Sequence, residues 1–260
     1  MSNINETNIV KQQYKSSGNL NTRISIHEKY STNKLGFGNW IFANYVIENG
    51  MKVLELGCGT GDMWINKKRE IDKCDRLILS DFSEGMLETA KKNLSSYKDI
   101  EYQVIDIQNI PFEDETFDIV IANMMLYHVP DMELGISEVK RVLKDDGAFY
   151  CATFGEHGIM EYLSNLLSEY GITDSTNKNF TLQNGNSILR KAFADVRREN
   201  YEDSLVVTNI SDIVDYIYSL SGMTSLSSVP REKVEQILLK HTKDGALNIP
   251  KEYGMFICHK

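Results

Sequence analysis

Cysteine and proline are scarce in this chain of 260 residues, which contains four of each. The cysteines lie far apart, at Cys58, Cys74, Cys151 and Cys258, so the chain contains no CxxC pair. Such pairs are typical of zinc sites and dithiol redox motifs, and so few cysteines in a chain of this length argue against a disulfide framework. We therefore expect no metal site and no structural disulfide.

Long apolar segments and an excess of positive charge are missing as well. No run approaches the roughly 18 apolar residues that a transmembrane helix needs, and the polar N-terminus MSNINETNIVKQQYKSSGN does not resemble a signal peptide. The formal net charge of -9 would repel the phosphate backbone of a nucleic acid. We expect neither a membrane nor a nucleic acid as partner, and a reducing cytoplasm as the location. The sequence does not specify an oligomeric state.

Strand and helix patterns alternate from residue 50 onward. The predicted strands are MKVLELG, RLILSD, IEYQVID, FDIVIAN and AFYCATF. Helices are predicted between them over Asp62–Ile71, Ser83–Leu94 and Asp131–Leu143. This alternation predicts an α/β fold with a doubly wound, Rossmann-like, mostly parallel sheet.

The regions that flank this core are predicted to be mainly helical. Before it, a helical pattern ends at Asn49-Gly50, and after it helical patterns are followed by a final strand, EYGMFICHK. We predict one domain over residues 1–260. It would consist of an N-terminal helical lid over 1–49, a core over 50–155, and C-terminal strands with helical cap insertions over 156–260.

Three glycines, Gly57, Gly59 and Gly61, follow the first predicted strand. Ligands of doubly wound sheets bind beyond the carboxyl ends of the strands, and glycines allow a ligand to approach the backbone closely. A dinucleotide motif, G-x-G-x-x-G, would require glycine where this chain has Asp62, and the Gly-Lys-Ser/Thr of a P-loop is absent. The loop therefore indicates a cofactor without phosphates.

Acidic residues end the first three predicted strands. Glu55 favours a ligand with positive charge, Asp81 can accept hydrogen bonds from ribose hydroxyls, and Asp106 can accept one from an adenine amino group. Apolar surface for the base is supplied by Phe82, Met86 and Ile107. The pattern suits an adenosine that carries an amino-acid tail.

Four segments in order, VLELGCGTG, LILSDFS, VIDIQNIPF and FDIVIANMMLYHVPD, resemble class I S-adenosylmethionine-dependent methyltransferases. More narrowly, they are similar to the bacterial small-molecule group of the methyltransferase-11 type. The resemblance covers about residues 50–155. It implies S-adenosylmethionine as cofactor, S-adenosylhomocysteine as product, and methyl transfer to a small-molecule acceptor by in-line displacement.

The resemblance also implies roles for individual positions, from the methionine part of the cofactor to its base. The residues expected to contact it are Glu55, Gly57, Cys58, Gly59, Asp81, Phe82, Met86, Asp106, Ile107, Asn123 and Met124. Glu55 would organise the loop around the amino group, Asp81 would hold the ribose, and Asn123 and Met124 would lie beside the sulfonium. Taken singly, the apolar positions would be interpreted as core and Asp81 as a helix cap, so the joint spacing carries the prediction.

Histidines near the ends of the later strands are candidates for a general base. His128, beside Tyr127, follows the fourth predicted strand, and His157 follows the fifth. A base is needed only if the acceptor loses a proton as it attacks. The alternative is that His128 only fixes its loop by hydrogen bonding to the backbone.

One face of the predicted N-terminal helix would carry Arg23, His27 and Tyr30, which follow one another at i, i+4 and i+7. Such a face could close over the cofactor, with Arg23 or Tyr30 reaching its carboxylate or the substrate, and Tyr30 is a second catalytic candidate. The alternative is an amphipathic helix with a solvated polar face.

Several acceptor classes are disfavoured. The Pro-Pro-aromatic motif of base amino-group methylation is replaced by Met124-Met125-Leu126, and neither a carboxylate cluster for metal-assisted catechol methylation nor suitable cysteines for arsenic methylation are found. A small metabolite methylated at oxygen, nitrogen or carbon remains. Two other functions stay open: a non-catalytic S-adenosylmethionine-binding protein that acts through a partner, and a nicotinamide-dependent oxidoreductase, against which Asp62 argues.

Overall fold

A computed structural model describes residues 17–220 and 229–260, which fall into two compact units. The sheet unit contains 37–153, 179–200 and 254–260. The helical unit contains 17–36, 154–178, 201–220 and 229–253. These divisions differ from the boundaries at 49 and 155 that the sequence suggested, and the assignment of one domain stays a prediction.

The helices and strands of the described residues are named here in chain order. The strands are β1 (Met51–Leu56), β2 (Cys74–Asp81), β3 (Ile100–Val104), β4 (Phe117–Ile121), β5 (Leu143–Phe154), β6 (Asp195–Tyr201), β7 (Ser204–Val207), β8 (Leu247–Pro250) and β9 (Tyr253–His259). The α-helices are α1 (Ser17–Tyr30), α2 (Phe37–Ala43), α3 (Lys68–Ile71), α4 (Glu84–Asn93), α5 (Met132–Val142), α6 (Ile159–Leu166), α7 (Gly185–Leu189), α8 (Ile210–Ser219) and α9 (Arg231–Lys240).

The larger sheet has seven strands in the order β3-β2-β1-β4-β5-β9-β6. The pairs β1–β2, β2–β3, β1–β4 and β4–β5 are parallel, which confirms the predicted Rossmann-like, mostly parallel sheet. From β1 the chain moves outward through β2 and β3 and then returns to place β4 on the other side of β1. The strand order therefore switches between β1 and β4, where open α/β sheets bind their ligands.

The strands of this sheet are apolar on both faces. Val53 and Leu77 belong to one buried cluster, whereas their neighbours Leu54 and Ile78 belong to another, because successive side chains of a strand point to opposite faces. Burial on both faces explains why the parallel strands are nearly continuous apolar runs.

The helical unit has a core of its own. Helices α1, α6, α8 and α9 and the antiparallel strand pair β7–β8 contribute to one cluster of buried side chains, which includes Ile26, Leu163, Ile217 and Leu238. Asn209 begins α8 by accepting a hydrogen bond from the Ser211 amide. No helix in either described stretch, 17–220 or 229–260, is long and apolar enough to cross a bilayer.

Two helical predictions were wrong in detail. The helix expected over Asp62–Ile71 is a 3₁₀ turn over Asp62–Trp64 followed by the short helix α3, and between them Ile65 is extended and Asn66 is left-handed, with a φ of 62°. The helix expected to end at Asn49-Gly50 ends at Ala43. There the side-chain amide of Asn44 donates to the carbonyl of Trp40, which satisfies a carbonyl of the last turn.

Candidate functional site

The glycine loop begins directly after β1. Gly57 has a φ of 71° and Gly59 a φ of 57°, both in the region that favours glycine. A Cβ on Gly57 would lie 2.9 Å from Cγ of Met125, whereas a Cβ on Gly59 would meet no heavy atom within 4 Å. The backbone at Gly59 therefore borders open space, as a loop that cradles a ligand requires.

Asp81, the last residue of β2, connects this loop to the start of α4. Its Oδ2 accepts a hydrogen bond from the Gly59 amide at 3.0 Å, and its Oδ1 accepts one from the Ser83 amide at 2.8 Å. Burial raises the pKa of Asp81, and the two amides partly oppose that increase. Since each carboxylate oxygen can accept more than one hydrogen bond, Asp81 can still receive two hydroxyls.

Glu55 lies in β1 with only 3% of its surface exposed. Its Oε2 accepts a hydrogen bond from Nε1 of Trp64 at 2.7 Å. The pKa of Glu55 is raised to about 7, mainly by burial. The indole N–H of Trp64 opposes this increase, and the nearby charge of Asp81 adds to it. A buried carboxylate of this kind is stabilised by a cationic ligand group. Sequence reasoning did not identify Trp64, whose only signal was its position soon after the glycines.

The end of β4 is held by side chains from other elements. The Asn123 amide nitrogen donates to the hydroxyl of Tyr45, and its Oδ1 accepts from the Ala152 amide at 3.2 Å. Met124 then has a φ of 52°, unusual for a bulky residue and typical of strained functional positions. The side chain of Asn123 therefore holds the end of β4 in place, and its contact with the cofactor stays a prediction. Sequence reasoning did not identify Tyr45 as a residue that supports this strand end.

An apolar surface surrounds the carboxyl ends of β2 and β3. Phe82 is 49% exposed, and Val104, which pairs with Asp81 across the two strands, is 51% exposed. Met86 is half-buried in α4. Exposed large apolar side chains at the carboxyl ends of these strands can pack against the flat face of a nucleobase.

The residues after β3 are more constrained. Ile107 is 5% exposed and belongs to a core cluster of the sheet unit, so its side chain is part of the core. The Asp106 carboxylate accepts hydrogen bonds from both the backbone and side-chain amides of Gln108. Gln108 in turn accepts a hydrogen bond from the Asp131 amide at the start of α5. Asp106 is thus oriented by a residue that the sequence had not indicated.

The thiol of Cys58 lies in the glycine loop and is buried. Burial raises its pKa far above the ordinary value, and the carboxylates of Glu55 and Asp81 add to that increase. The thiol is therefore neutral and not a nucleophile. Its place in the loop is compatible only with a lining role.

His128 ends a 3₁₀ turn, Leu126–His128, that follows β4. Burial lowers its pKa, and its Nδ1 atom is buried with no hydrogen-bond partner among the described residues. The ring of Tyr127 lies 4.5 Å away, measured between ring centroids. The imidazole is therefore neutral near pH 7, the state from which a base can accept a proton.

The other predicted residues of α1 lie in the helical unit. The His27 ring meets the rings of Tyr216 and Tyr253 edge-on, and burial lowers its pKa to about 4. The hydroxyl of Tyr30 donates to Asp212 at 2.7 Å. Because Tyr216 and Asp212 both belong to α8, this face of α1 packs on α8, and a lid role stays a prediction.

His157 and Arg23 complete the predicted set. His157, also in the helical unit, is exposed, and its Nδ1 lies 3.2 Å from a carboxylate oxygen of Glu161 one helical turn later. Arg23 belongs to α1, but its side chain lies outside the described residues.

Known proteins resemble the central part of the chain. Residues 54–151 match a family model described as a methyltransferase domain. Demethylmenaquinone methyltransferases from Staphylococcus aureus and Staphylococcus saprophyticus are each 36% identical over 105 residues, which is 40% of this chain. The matched stretch covers 44% and 45% of those two proteins, so the chain spans less than half of their length.

Solved structures share the fold at low sequence identity. Phosphoethanolamine N-methyltransferase 2 from Haemonchus contortus, determined with S-adenosyl-L-methionine, has a TM-score of 0.59 at 19% identity, covering 99% of this chain and 59% of that one. The YcgJ protein from Bacillus subtilis has a TM-score of 0.56 at 18% identity, covering 86% and 97%. At these identities the likeness concerns the fold.

Proposed function

We propose that this chain, whose residues 54–151 match a methyltransferase domain, is a class I S-adenosylmethionine-dependent methyltransferase that methylates a small-molecule acceptor. The observation that carries the proposal is the joint placement of Glu55, Gly59 and Asp81 at the carboxyl ends of β1 and β2. This is the edge at which a doubly wound sheet binds its ligand.

The residues fit the cofactor in chemistry as well as in place. The space beside Gly59 would accommodate the amino-acid tail, and the buried Glu55 carboxylate would meet its cationic amino group. Asp81 would accept the ribose hydroxyls, and Phe82 and Val104 would border the base. When bound, S-adenosylmethionine supplies a methyl group activated by attachment to a sulfonium.

The work left to the protein is mainly alignment, because in-line displacement from a sulfonium has a neutral leaving group. His128 is the proposed base for an acceptor that must lose a proton, since its imidazole is neutral. The predicted roles of Tyr30, His27 and Arg23 at the acceptor stay part of this proposal. A carbon or amine acceptor that is already nucleophilic would need no general base.

The acceptor does not follow from the relatives' printed names, since the match covers 40% of the chain. Within the apolar run after β4, Leu126 is buried in the core and Met125 packs against Gly57. Met124 is therefore the member of this run that we propose to face the acceptor. One side chain of this kind favours a partly apolar small molecule without selecting the methylated atom.

The test is a thermal-shift titration with S-adenosylmethionine, S-adenosylhomocysteine and NAD in parallel. A ligand at about 100 times its dissociation constant adds roughly 2.7 kcal/mol to the free energy of unfolding if it binds only the folded state. We expect both adenosyl compounds to raise the melting temperature and NAD to leave it unchanged. A shift with NAD alone would overturn the proposal.

An acceptor screen that follows S-adenosylhomocysteine release then separates an enzyme from a binding protein. Glu55→Gln is the control that should weaken cofactor binding. Cofactor binding without turnover on any acceptor class would favour the non-catalytic alternative.

A further inference from the structure

Trp64 is one of two tryptophans in the chain, and it is held in place from two sides. Its side chain is fully buried, with the ring edge-on to Phe42 at a centroid distance of 5.3 Å. Its indole nitrogen donates to Oε2 of Glu55 at 2.7 Å. An indole N–H can only donate, so it must face the acceptor that Glu55 provides.

This contact divides the two oxygens of the Glu55 carboxylate. Oε2 is bound by Trp64, whereas Oε1 forms no hydrogen bond with a described residue. Hydrogen bonds to an ionised acceptor are stronger than those to a neutral one, so the indole favours the charged carboxylate. It therefore opposes burial, which favours the protonated acid.

We propose that Trp64 is a positioning residue, whose indole N–H orients the Glu55 carboxylate so that its second oxygen serves the cationic amino group of the cofactor. The inference rests on the proposed function, because it assigns Glu55 to that amino group. The ring of Trp64 is fully buried and its indole nitrogen contacts Glu55, so the proposal assigns it no direct contact with the cofactor. Its effect on binding therefore passes through the carboxylate.

Three other titratable groups lie near Glu55: the hydroxyl of Tyr45 before β1, the thiol of Cys58 in the glycine loop, and the carboxylate of Asp81 at the end of β2. Burial raises the pKa of Tyr45 and of Cys58, so both are neutral near pH 7. A change of charge beside Trp64 near neutral pH therefore comes from Glu55 or Asp81, and the variant Glu55→Gln distinguishes the two.

The first experiment leaves Trp64 untouched. Trp40→Phe makes Trp64 the single tryptophan, and Trp40 lies in α2, stacked on Phe37. We expect the emission of Trp64 to change with pH around 7 and the change to disappear when Glu55→Gln is added. S-adenosylhomocysteine, which keeps the amino group, should move the midpoint to lower pH. Emission of the Trp40→Phe protein that shows no Glu55-dependent change at any pH at which the fold persists would overturn the inference.

The second experiment measures S-adenosylhomocysteine affinity by calorimetry at pH 8. We expect Trp64→Phe to weaken binding roughly tenfold or more, as for loss of a hydrogen bond to a charged group, and the matched Trp40→Phe to leave it unchanged. In a Glu55→Gln background the same substitution should have a much smaller effect, because the two residues act through one contact.

The outcomes separate the two proposals. Unchanged affinity in Trp64→Phe, with affinity lost in Glu55→Gln, would overturn the role of Trp64 and leave the proposed function standing. Failure of the wild-type chain to bind S-adenosylhomocysteine would overturn the proposed function and this inference with it. If Trp64→Phe does not fold, the role of Trp64 is tested by the pH dependence of Trp64 emission in the Trp40→Phe protein, measured with and without Glu55→Gln.

Discussion

Two carboxylates at the ends of neighbouring strands, Glu55 and Asp81, are solvated by the protein in different ways. Asp81 accepts hydrogen bonds from two backbone amides, whereas Glu55 is more deeply buried and receives one from an indole. Because Glu55 accepts fewer hydrogen bonds, more of the free-energy cost of removing its charge from water is left uncompensated. This difference explains why the pKa of Glu55 rises to about 7.

The raised pKa of Glu55 predicts a pH dependence of stability. The folded state binds a proton more tightly than the unfolded state, whose pKa is near 4.5, so this contribution is present below pH 4.5 and is lost as pH rises through about 7. Glu55→Gln should remove this loss. The free energy of unfolding of the variant relative to wild type should increase by about 3 kcal/mol between pH 4.5 and pH 8.

Chemical denaturation at several pH values would measure this difference without added ligand. The pKa of His27 is lowered to about 4, so its contribution to stability is lost as pH falls from about 6.5 to about 4, which is the opposite trend. Because both proteins contain His27, this contribution cancels in the difference between their free energies of unfolding. A constant difference between Glu55→Gln and wild type across pH 4.5–8 would mean that the fold does not raise the pKa of Glu55.

Asp81→Asn should weaken S-adenosylhomocysteine binding by a factor on the order of 100, because one oxygen acceptor and the negative charge that serve the ribose are lost. The fold should persist, since the amide oxygen can still accept from one of the two amides that Asp81 serves. Calorimetry with Asp72→Asn as the exposed control would measure the change. Equal affinity in the two variants would show that Asp81 does not hold the ribose.

The glycine loop offers a paired test at the level of a structural element. Gly57→Ala should destabilise the fold, because the new Cβ would lie 2.9 Å from Met125 and the backbone has a φ of 71°. Gly59→Ala has similar backbone strain, about 1 kcal/mol, but its Cβ would enter open space.

Melting temperature and cofactor affinity would therefore separate the two variants. Gly57→Ala should show the larger loss of stability, and Gly59→Ala should keep most of its stability while losing affinity for S-adenosylhomocysteine. Full affinity in Gly59→Ala would place the ligand away from this loop.

Local pattern was sufficient for most elements of the sheet, because parallel strands covered on both faces are apolar runs that stand out in the sequence. It also placed Glu55 and Asp81 at strand ends. It could not predict that Trp64 turns inward to a residue nine positions earlier, nor that Asn66 adopts a left-handed conformation that breaks the expected helix. Periodicity predicts that a side chain is buried but not which polar atom it meets.

The division into two units was beyond local pattern for the same reason. α1 is followed in sequence by segments of the sheet unit, yet Tyr30 bonds to Asp212, 182 residues later. The sequence showed that α1 has a polar face but carried no sign of the partner on α8. The predicted boundaries at 49 and 155 were therefore placed along the chain, without the alternation between the two units.

At the scale of the whole molecule, the proposed cofactor contacts all belong to the sheet unit. We therefore expect S-adenosylhomocysteine to slow amide hydrogen exchange most strongly in segments 55–61, 81–83 and 123–126. Ligand binding raises the free energy of local opening where the contacts are made. Exchange measured by mass spectrometry with and without the ligand would test this, and unchanged exchange in all three segments would contradict the site.

The alternation of the two units along the chain governs the order in which the molecule can be completed during translation. Asn33 and Tyr30 leave the ribosome 170 and 182 residues before Asp203 and Asp212, their hydrogen-bond partners. At a synthesis rate of about 5–20 residues per second, roughly 10 to 40 seconds pass between the synthesis of α1 and the synthesis of these partners. Helix α1, the first helix among the described residues, is thus among the last to acquire its packing partners. During that interval its buried face, including Ile26, is available to chaperones or to misfolding.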